Sequence, residues 1–301
     1  CFYNSNSSWG WLENLPKEKR ENIDVFLGDI RDPLCVKNAL KGCSEVFHLA
    51  ALIGIPYSYV APSSYIETNI NGTLNVVQGA RELELSRVII TSTSETYGTA
   101  QFVPITEEHP QVGQSPYAAS KIGADQIAMS YFKSFATPVT ILRPFNTYGP
   151  RQSCRAVIPT IITQIANKKD TISLGSLTPT RDFNFVMDTC SAFLEVSKSK
   201  EAIGRIINMA SCFEISIGKT ASLIKEIMNS NIKIICDQER IRPKNSEVNR
   251  LFGDNKLLKT ITSWEAQYGE INGFKRGLEK TIEWFSKSEN LSFYNKENYL
   301  I

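Results

Sequence analysis

Arg87-Val88-Ile89-Ile90-Thr91-Ser92-Thr93, then Ser115-Pro116-Tyr117-Ala118-Ala119-Ser120-Lys121, then Val139-Thr140-Ile141-Leu142: these three runs decide the fold. The first and last are apolar and β-branched at consecutive positions, which reads as strands covered on both faces. Ser115-Pro116 opens a helix between them, a capping hydroxyl followed by proline in the first turn. That helix is expected to run to about Phe135. A strand, a long helix and another strand without a tight hairpin make the repeating unit of a parallel sheet.

Working outward, Glu45-Val46-Phe47-His48-Leu49 reads as a buried strand and Asp32 to Leu40 as the helix before it. Ile23-Asp24-Val25-Phe26-Leu27 reads as an earlier strand ending at Gly28-Asp29. From Pro62 to Leu85 the apolar residues Tyr65, Ile66, Ile70, Leu74, Val77 and Ala80 recur at helical spacing, giving one long amphipathic helix. The expectation is an α/β fold with a doubly wound parallel sheet over residues 1–150. Beyond Gly149-Pro150 the pattern loosens, with short strands near Ile172, Asn184, Ile206 and Ile232. Residues 151–301 are therefore read as a smaller α+β lobe, with about 183–200 packing back on the first domain.

The 301 residues are 42% hydrophobic and 21% charged with a net charge of +2, an ordinary globular balance. Charges of both signs are mixed along the chain, so neither a nucleic-acid nor a membrane surface is indicated. No apolar run approaches the roughly 18 residues that a membrane span needs. Seven scattered cysteines without a C-x-x-C, and only His48 and His109, argue against a metal site. Reduced thiols in a cytoplasmic protein are expected.

Tyr117 and Lys121, four apart on a helix, share one face. A tyrosine, with an ordinary pKa near 10, can serve as a base when a lysine ammonium and an oxidised nicotinamide favour its phenolate. The strand ending in Thr91-Ser92-Thr93 lies at a spacing that lets Thr93 reach the same substrate hydroxyl. Glu95 adds a carboxylate that plain alcohol oxidation does not need.

At these residues the chain resembles the extended short-chain dehydrogenase/reductase family of nucleotide-sugar epimerases and dehydratases. Further matches are Gly28-Asp29-Ile30-Arg31-Asp32, His48-Leu49-Ala50-Ala51, Thr68-Asn69-Ile70-Asn71-Gly72-Thr73, Ser92-Thr93-Ser94-Glu95-Thr96-Tyr97-Gly98 and Arg143-Pro144-Phe145-Asn146-Thr147-Tyr148-Gly149-Pro150. The resemblance implies a Rossmann-type domain holding NAD or NADP, recycled within each catalytic cycle. It implies Asp29 and Ile30 beside the adenine, and Leu49, Ala50 and Ala51 beside the pyrophosphate and ribose. Tyr117 and Lys121 would contact the nicotinamide ribose and carry out catalysis, with Thr93 on the sugar hydroxyl. It also implies a homodimer built on the Pro62 and Tyr117 helices.

Glu95 points within that family to 4,6-dehydratases, where this position removes the C5 proton. Ser94 stands where deoxythymidine-sugar dehydratases carry aspartate, so it can only relay or position a proton. Ser-Thr-Ser-Glu-x-Tyr-Gly is also similar to nucleotide-glucuronate decarboxylases. A 4-epimerase, and a non-catalytic nucleotide-binding relative, are the other readings. Ile55-Pro56-Tyr57-Ser58-Tyr59, Thr178 to Phe185 and Glu239 to Glu247 resemble dehydratases of the legionaminic acid pathway, which act on GDP-linked N-acetylglucosamine. The sugar nucleotide is thus expected to be GDP- or UDP-N-acetylglucosamine. Asn146, Arg181 and Arg242 are the expected substrate contacts, since guanidinium forks suit phosphate oxygens.

The glycine-rich turn that opens dinucleotide domains is not found in this sequence. Cys1 to Ser5 reads as the end of a second strand, and about 30 residues of a βαβ unit are expected upstream. Residues 1–301 alone are expected neither to fold stably nor to bind cofactor.

Overall fold

The computed structural model describes residues 1–294; residues 295–301 of the expected second lobe lie outside the described part. Nine strands are formed among the described residues: β1 (Glu45–His48), β2 (Arg87–Thr91), β3 (Val139–Pro144), β4 (Asn146–Tyr148), β5 (Thr171–Leu174), β6 (Thr180–Phe185), β7 (Ile206–Met209), β8 (Glu214–Ser216) and β9 (Lys233–Cys236). The main sheet has the order β1-β2-β3-β7 and is parallel throughout. Val46 lies opposite Val88, Ile90 opposite Ile141, and Leu142 opposite Ile207.

Alternation along β2 sorts its side chains to two faces. Val88 and Ile90 join Val36, Leu40, Val76, Val77, Ala80 and Ala128, the apolar stripes of the helices Pro33–Leu40, Gly72–Glu82 and Pro116–Phe135. Ile89 turns the other way, into Ala192, Phe193, Val196 and Leu258 from the helices Val186–Lys198 and Lys256–Ile261. Each fully buried Val or Ile here contributes about 1.5–3 kcal/mol relative to exposure. The Val186–Lys198 helix packs on the main sheet through Ala192, Phe193 and Val196. Ile206–Met209, which the sequence reading placed in the smaller lobe, belongs to the main sheet; it is the fourth strand, because Ile206 and Ile207 cover Ile141 and Leu142.

The smaller lobe holds the sheet β4-β6-β8 and the pair β5-β9. Its core gathers Tyr148, Phe183, Phe185, Phe274 and Leu278 with the helices Val157–Ala166, Ile217–Ile227 and Glu270–Ser286. Gly277 lets the Glu270–Ser286 helix close on Tyr148: a Cβ there would stand 2.0 Å from the Tyr148 hydroxyl oxygen.

Two expectations change. Ile23–Leu27 is not a strand; an isolated Phe2–Gly28 bridge stands just beyond its end, and Ile23 and Phe26 are exposed. The bonds that join it and Gly28 to residues 1–3, Cys1 to Phe26, Tyr3 to Gly28 and Gly28 to Cys1, are too few to make a ladder. The long helix from Pro62 is also not uniform: α-helical turns at Pro62–Tyr65 and Gly72–Glu82 flank a π-helical stretch, Ile66–Asn71.

Candidate active site

The carboxyl ends of β2 and β3 open onto a cavity of about 550 Å³ between the main sheet and the smaller lobe. Ser92, Thr93, Ser94, Glu95, Tyr117 and Asn146 line it together with Arg155, Arg181, Arg240, Arg242 and Glu247. Of the residues named from sequence, Thr93, Ser94, Glu95, Tyr117, Asn146, Arg181 and Arg242 are brought together here.

Local sequence explains the wall that follows β2. After β2 the chain turns into a short 3-10 helix, Ser94–Tyr97, whose cap is Thr93; its Oγ1 accepts from the Glu95 N–H at 3.2 Å. Gly98 ends the turn at φ +64°, a left-handed conformation that a side chain resists. Glu95 is thereby held buried against the cavity, with 7% exposure, and is not a solvated loop residue. Tyr117 sits in the first turn of the Pro116–Phe135 helix, which Ser115 caps by accepting from Ala118 N–H.

Burial holds the Tyr117 phenol well above its usual pKa; its hydrogen bond with Thr93 opposes this, while Glu95, Tyr65 and Asp125 reinforce it. Burial pushes the Lys121 ammonium down, and the Asp125 charge pushes it back up. Lys121 does not line the cavity. Its Nζ donates to the Thr91 carbonyl at 2.7 Å. Tyr117 is thus a protonated phenol here, and needs added positive charge to act as a base.

Arg181 is buried and donates to its own Thr180 carbonyl at 2.9 Å and to Glu247 at 3.2 Å. It does not pair with Asp182, whose carboxylate accepts from Ser211, Cys212 and Gly253. Arg242 approaches Glu247 at 3.7 Å, too far for a hydrogen bond, and its Nη1 is buried without one. Asn146 Oδ1 is likewise buried without a partner. Unsatisfied polar groups facing one cavity are what a polar ligand would satisfy.

Of the residues assigned to the cofactor, Tyr117 lines the cavity, whereas Asp29, Ile30, Leu49, Ala50 and Ala51 do not. Asp29 is engaged by Arg31, with Nη2 to Oδ2 at 2.6 Å, and the Ile30 carbonyl accepts from Asn75 at 3.0 Å. Leu49, Ala50 and Ala51 follow β1 at its carboxyl end. Leu49 is 63% exposed, and the next residue, Leu52, packs on the cluster containing Tyr65 and Tyr117. An exposed apolar ledge leading from the end of a parallel strand to Tyr117 fits a dinucleotide.

His48 is structural: buried, with Nε2 3.1 Å from Thr73 Oγ1. Sequence reasoning missed Arg240 and Glu247 in the cavity wall, and missed Asp125 on the Tyr117 helix. Asp125 had a signal, lying four residues after Lys121 and eight after Tyr117 on one helix. Among the described residues no cluster of His, Cys, Asp and Glu could hold a metal, and no helix is long and apolar enough to cross a membrane.

Comparison with known proteins adds the family. Residues 1–279 match the family model of GDP-mannose 4,6 dehydratase. The chain is 31% identical over 295 residues to the dTDP-D-glucose 4,6-dehydratase of Homo sapiens, covering 95% of this chain and 81% of that one. In structure it is similar to a double mutant of the dTDP-glucose 4,6-dehydratase DesIV from Streptomyces venezuelae, solved with NAD bound: TM-score 0.79, 26% identity, 88% and 80% of the two chains. It is also similar to the epimerase Mth375 of Methanothermobacter thermautotrophicus, with TM-score 0.84 and 26% identity over 96% and 85% of the chains. A wholly parallel sheet, a Tyr-Lys helix against its carboxyl edge and a second lobe closing a polar cavity accord with these likenesses, and the chain belongs to the GDP-mannose 4,6-dehydratase family.

Proposed function

We propose that this chain is a nucleotide-sugar 4,6-dehydratase acting on GDP- or UDP-linked N-acetylglucosamine and yielding a 4-keto-6-deoxy sugar nucleotide. The observation that carries the reading is Glu95, a carboxylate buried in the cavity wall two residues beyond Thr93 and lining the same cavity as Tyr117.

NAD or NADP fits along the Leu49–Ala51 ledge and would supply a hydride acceptor that takes the C4 hydrogen and later returns it at C6. Its oxidised ring would also bring positive charge towards Tyr117. Tyr117 then accepts the C4 hydroxyl proton, with Thr93 holding that hydroxyl. The resulting 4-keto group acidifies C5, and Glu95 takes the C5 proton. The C6 hydroxyl leaves as water on the proton Glu95 has taken, given directly or relayed through Ser94. Glu95 then passes a proton from solvent to C5 as the hydride returns, and Tyr117 releases the C4 hydroxyl proton to solvent. The net change is loss of one water, with no net reduction of cofactor. Arg242 and Asn146 contact the diphosphate and sugar; Arg181 joins them by exchanging its contact with Glu247.

A second reading, 4-epimerase, draws support from Ser94, which is too poor an acid to expel hydroxide by itself. Product mass distinguishes them, because dehydration removes water, epimerisation removes nothing and decarboxylation removes carbon dioxide. Incubation of the protein together with the upstream glycine-rich turn expected from its sequence, with GDP- and UDP-N-acetylglucosamine and NAD or NADP, should yield the dehydrated mass. A product of unchanged mass and inverted C4 would overturn the proposal.

A further inference from the structure

We propose that Tyr59 is a positioning residue for the sugar nucleotide: its hydroxyl, 2.5 Å from Ser246 Oγ, latches the turn between Arg242 and Glu247 to the helix that packs beside Tyr117. The inference rests on the reading of Arg242 and its neighbours as substrate contacts.

The bond joins residues 187 apart in sequence, one from each lobe. Tyr59 lies on the short helix Ile55–Val60, which follows β1. Ile55 shares a buried cluster with Tyr65 and Tyr117, and the Tyr65 and Tyr117 rings meet edge-on with centroids 6.2 Å apart. The Tyr65 hydroxyl donates to the Gly54 carbonyl, and the wholly buried Ser58 donates through Oγ to the Ile55 carbonyl at 2.7 Å. Tyr59 is thus presented by an element whose place is set by the surroundings of Tyr117.

Its partner belongs to a segment with little of its own to hold it. From Asp237 to Asn245 no residue is buried, and the regular structure is one 3-10 turn, Gln238–Arg240. The next turn is better defined. The Pro243 carbonyl accepts from Ser246 N–H at 2.8 Å and from Glu247 N–H at 3.1 Å, while the proline ring fixes its own φ. Arg242 and Glu247 flank this compact turn and move with it, so what holds Ser246 places both. Gln114 Nε2 donates to the Asn245 carbonyl at 3.1 Å, and Asn249 N–H donates to Thr99 Oγ1 at 3.2 Å. Those bonds tie the segment to the chain beyond Glu95; Tyr59 ties it to the surroundings of Tyr117.

Arg242 and Glu247 line the cavity, as do Ile55 and Pro56 from the Tyr59 helix, whereas Tyr59 and Ser246 do not. The latch braces the wall and leaves the ligand's space free. Its effect on substrate passes through Arg242 and Glu247.

The test uses the protein together with the upstream glycine-rich turn expected from its sequence. Tyr59→Phe removes the hydroxyl and keeps the ring; Ser246→Ala removes the other partner. One such bond contributes about 2- to 13-fold to an equilibrium. Each variant should speed hydrogen exchange at the Ser246 and Glu247 amides by about that factor in the ligand-free protein, with β2 and β3 unchanged. KM for the sugar nucleotide should rise by a similar factor, with kcat and the KM for the nicotinamide cofactor changed far less. In a Ser246→Ala background, Tyr59→Phe should add nothing to either effect. Unchanged exchange at the turn overturns the proposal whether or not dehydration is observed. Faster exchange with an unchanged KM also overturns it, because the latch would then position nothing that substrate meets. A wild-type protein that dehydrates nothing overturns the proposed function instead, and the exchange rates still decide whether the latch exists.

Discussion

Replacing Glu95 with glutamine separates the two halves of the proposed cycle. The side chain is 7% exposed and faces the cavity, so glutamine keeps the shape and loses only the charge and basicity. A positioned general base contributes about 10²–10⁴-fold, or about 2.7–5.4 kcal/mol at 1.36 kcal/mol per decade, and this loss falls on C5 deprotonation. The first oxidation should not suffer, because the Glu95 charge helps to hold the Tyr117 phenol up, and its removal makes the phenolate easier to form. Single-turnover absorbance of the nicotinamide should therefore show reduction at or above the wild-type rate, followed by a stall. Exchange of the C5 hydrogen with deuterated water should fall with overall turnover. Turnover at the wild-type rate would sink the role of Glu95, as would a loss of nicotinamide reduction equal to the loss of turnover.

Four other outcomes follow from the geometry. Tyr117→Phe should abolish nicotinamide reduction while substrate still binds, as measured by equilibrium titration. Arg242→Gln should raise KM for the sugar nucleotide roughly 10- to 150-fold, the equivalent of about 1.5–3 kcal/mol for a charged hydrogen bond, with kcat changed far less. His48 has a folded pKa of about 3 against an unfolded value near 6.5, so the unfolded chain binds the extra proton between them. Its contribution is neutral above pH 6.5 and increasingly destabilising as pH falls towards 3; His48→Gln should flatten that part of the melting-temperature profile. Gly277→Ala drives a methyl group into the buried Tyr148 ring and should cost about 1–3 kcal/mol, read as a lower urea midpoint.

The parallel sheet was legible because β2 and β3 are runs of consecutive buried aliphatic residues, and the Tyr117 helix because Ser115-Pro116 marks its start. Ile206–Met209 was misplaced since its run is equally apolar in either lobe; only the three-dimensional neighbour decides which sheet takes it. Ile23–Leu27 has strand composition, yet composition does not supply hydrogen-bond partners. β4 and β8, three residues each, are too short to show a period. In the site, residues close in sequence were found together: Thr93, Ser94, Glu95 and Tyr117 belong to neighbouring elements. Glu247 escaped notice because its meaning lies in Arg181 and Arg242, which approach it from other segments. Helical spacing gave the face that Lys121 shares with Tyr117 but not the Thr91 carbonyl as the acceptor of its ammonium.

The π-helical stretch Ile66–Asn71 has a consequence for insertions and deletions. Within it, Asn69 bonds both the N–H and the carbonyl of Leu52 and reaches Ser120 on the Tyr117 helix. A π turn accommodates one more residue than an α turn. Deleting one residue there would restore regular winding and leave the faces on either side nearly in register, so Val76, Val77 and Ala80 would keep their place on the sheet. What would be lost is the reach of Asn69, whose amide would turn away from Leu52 and Ser120. The extra residue thus serves the loop after β1 and the Tyr117 helix, and not the packing of its own helix.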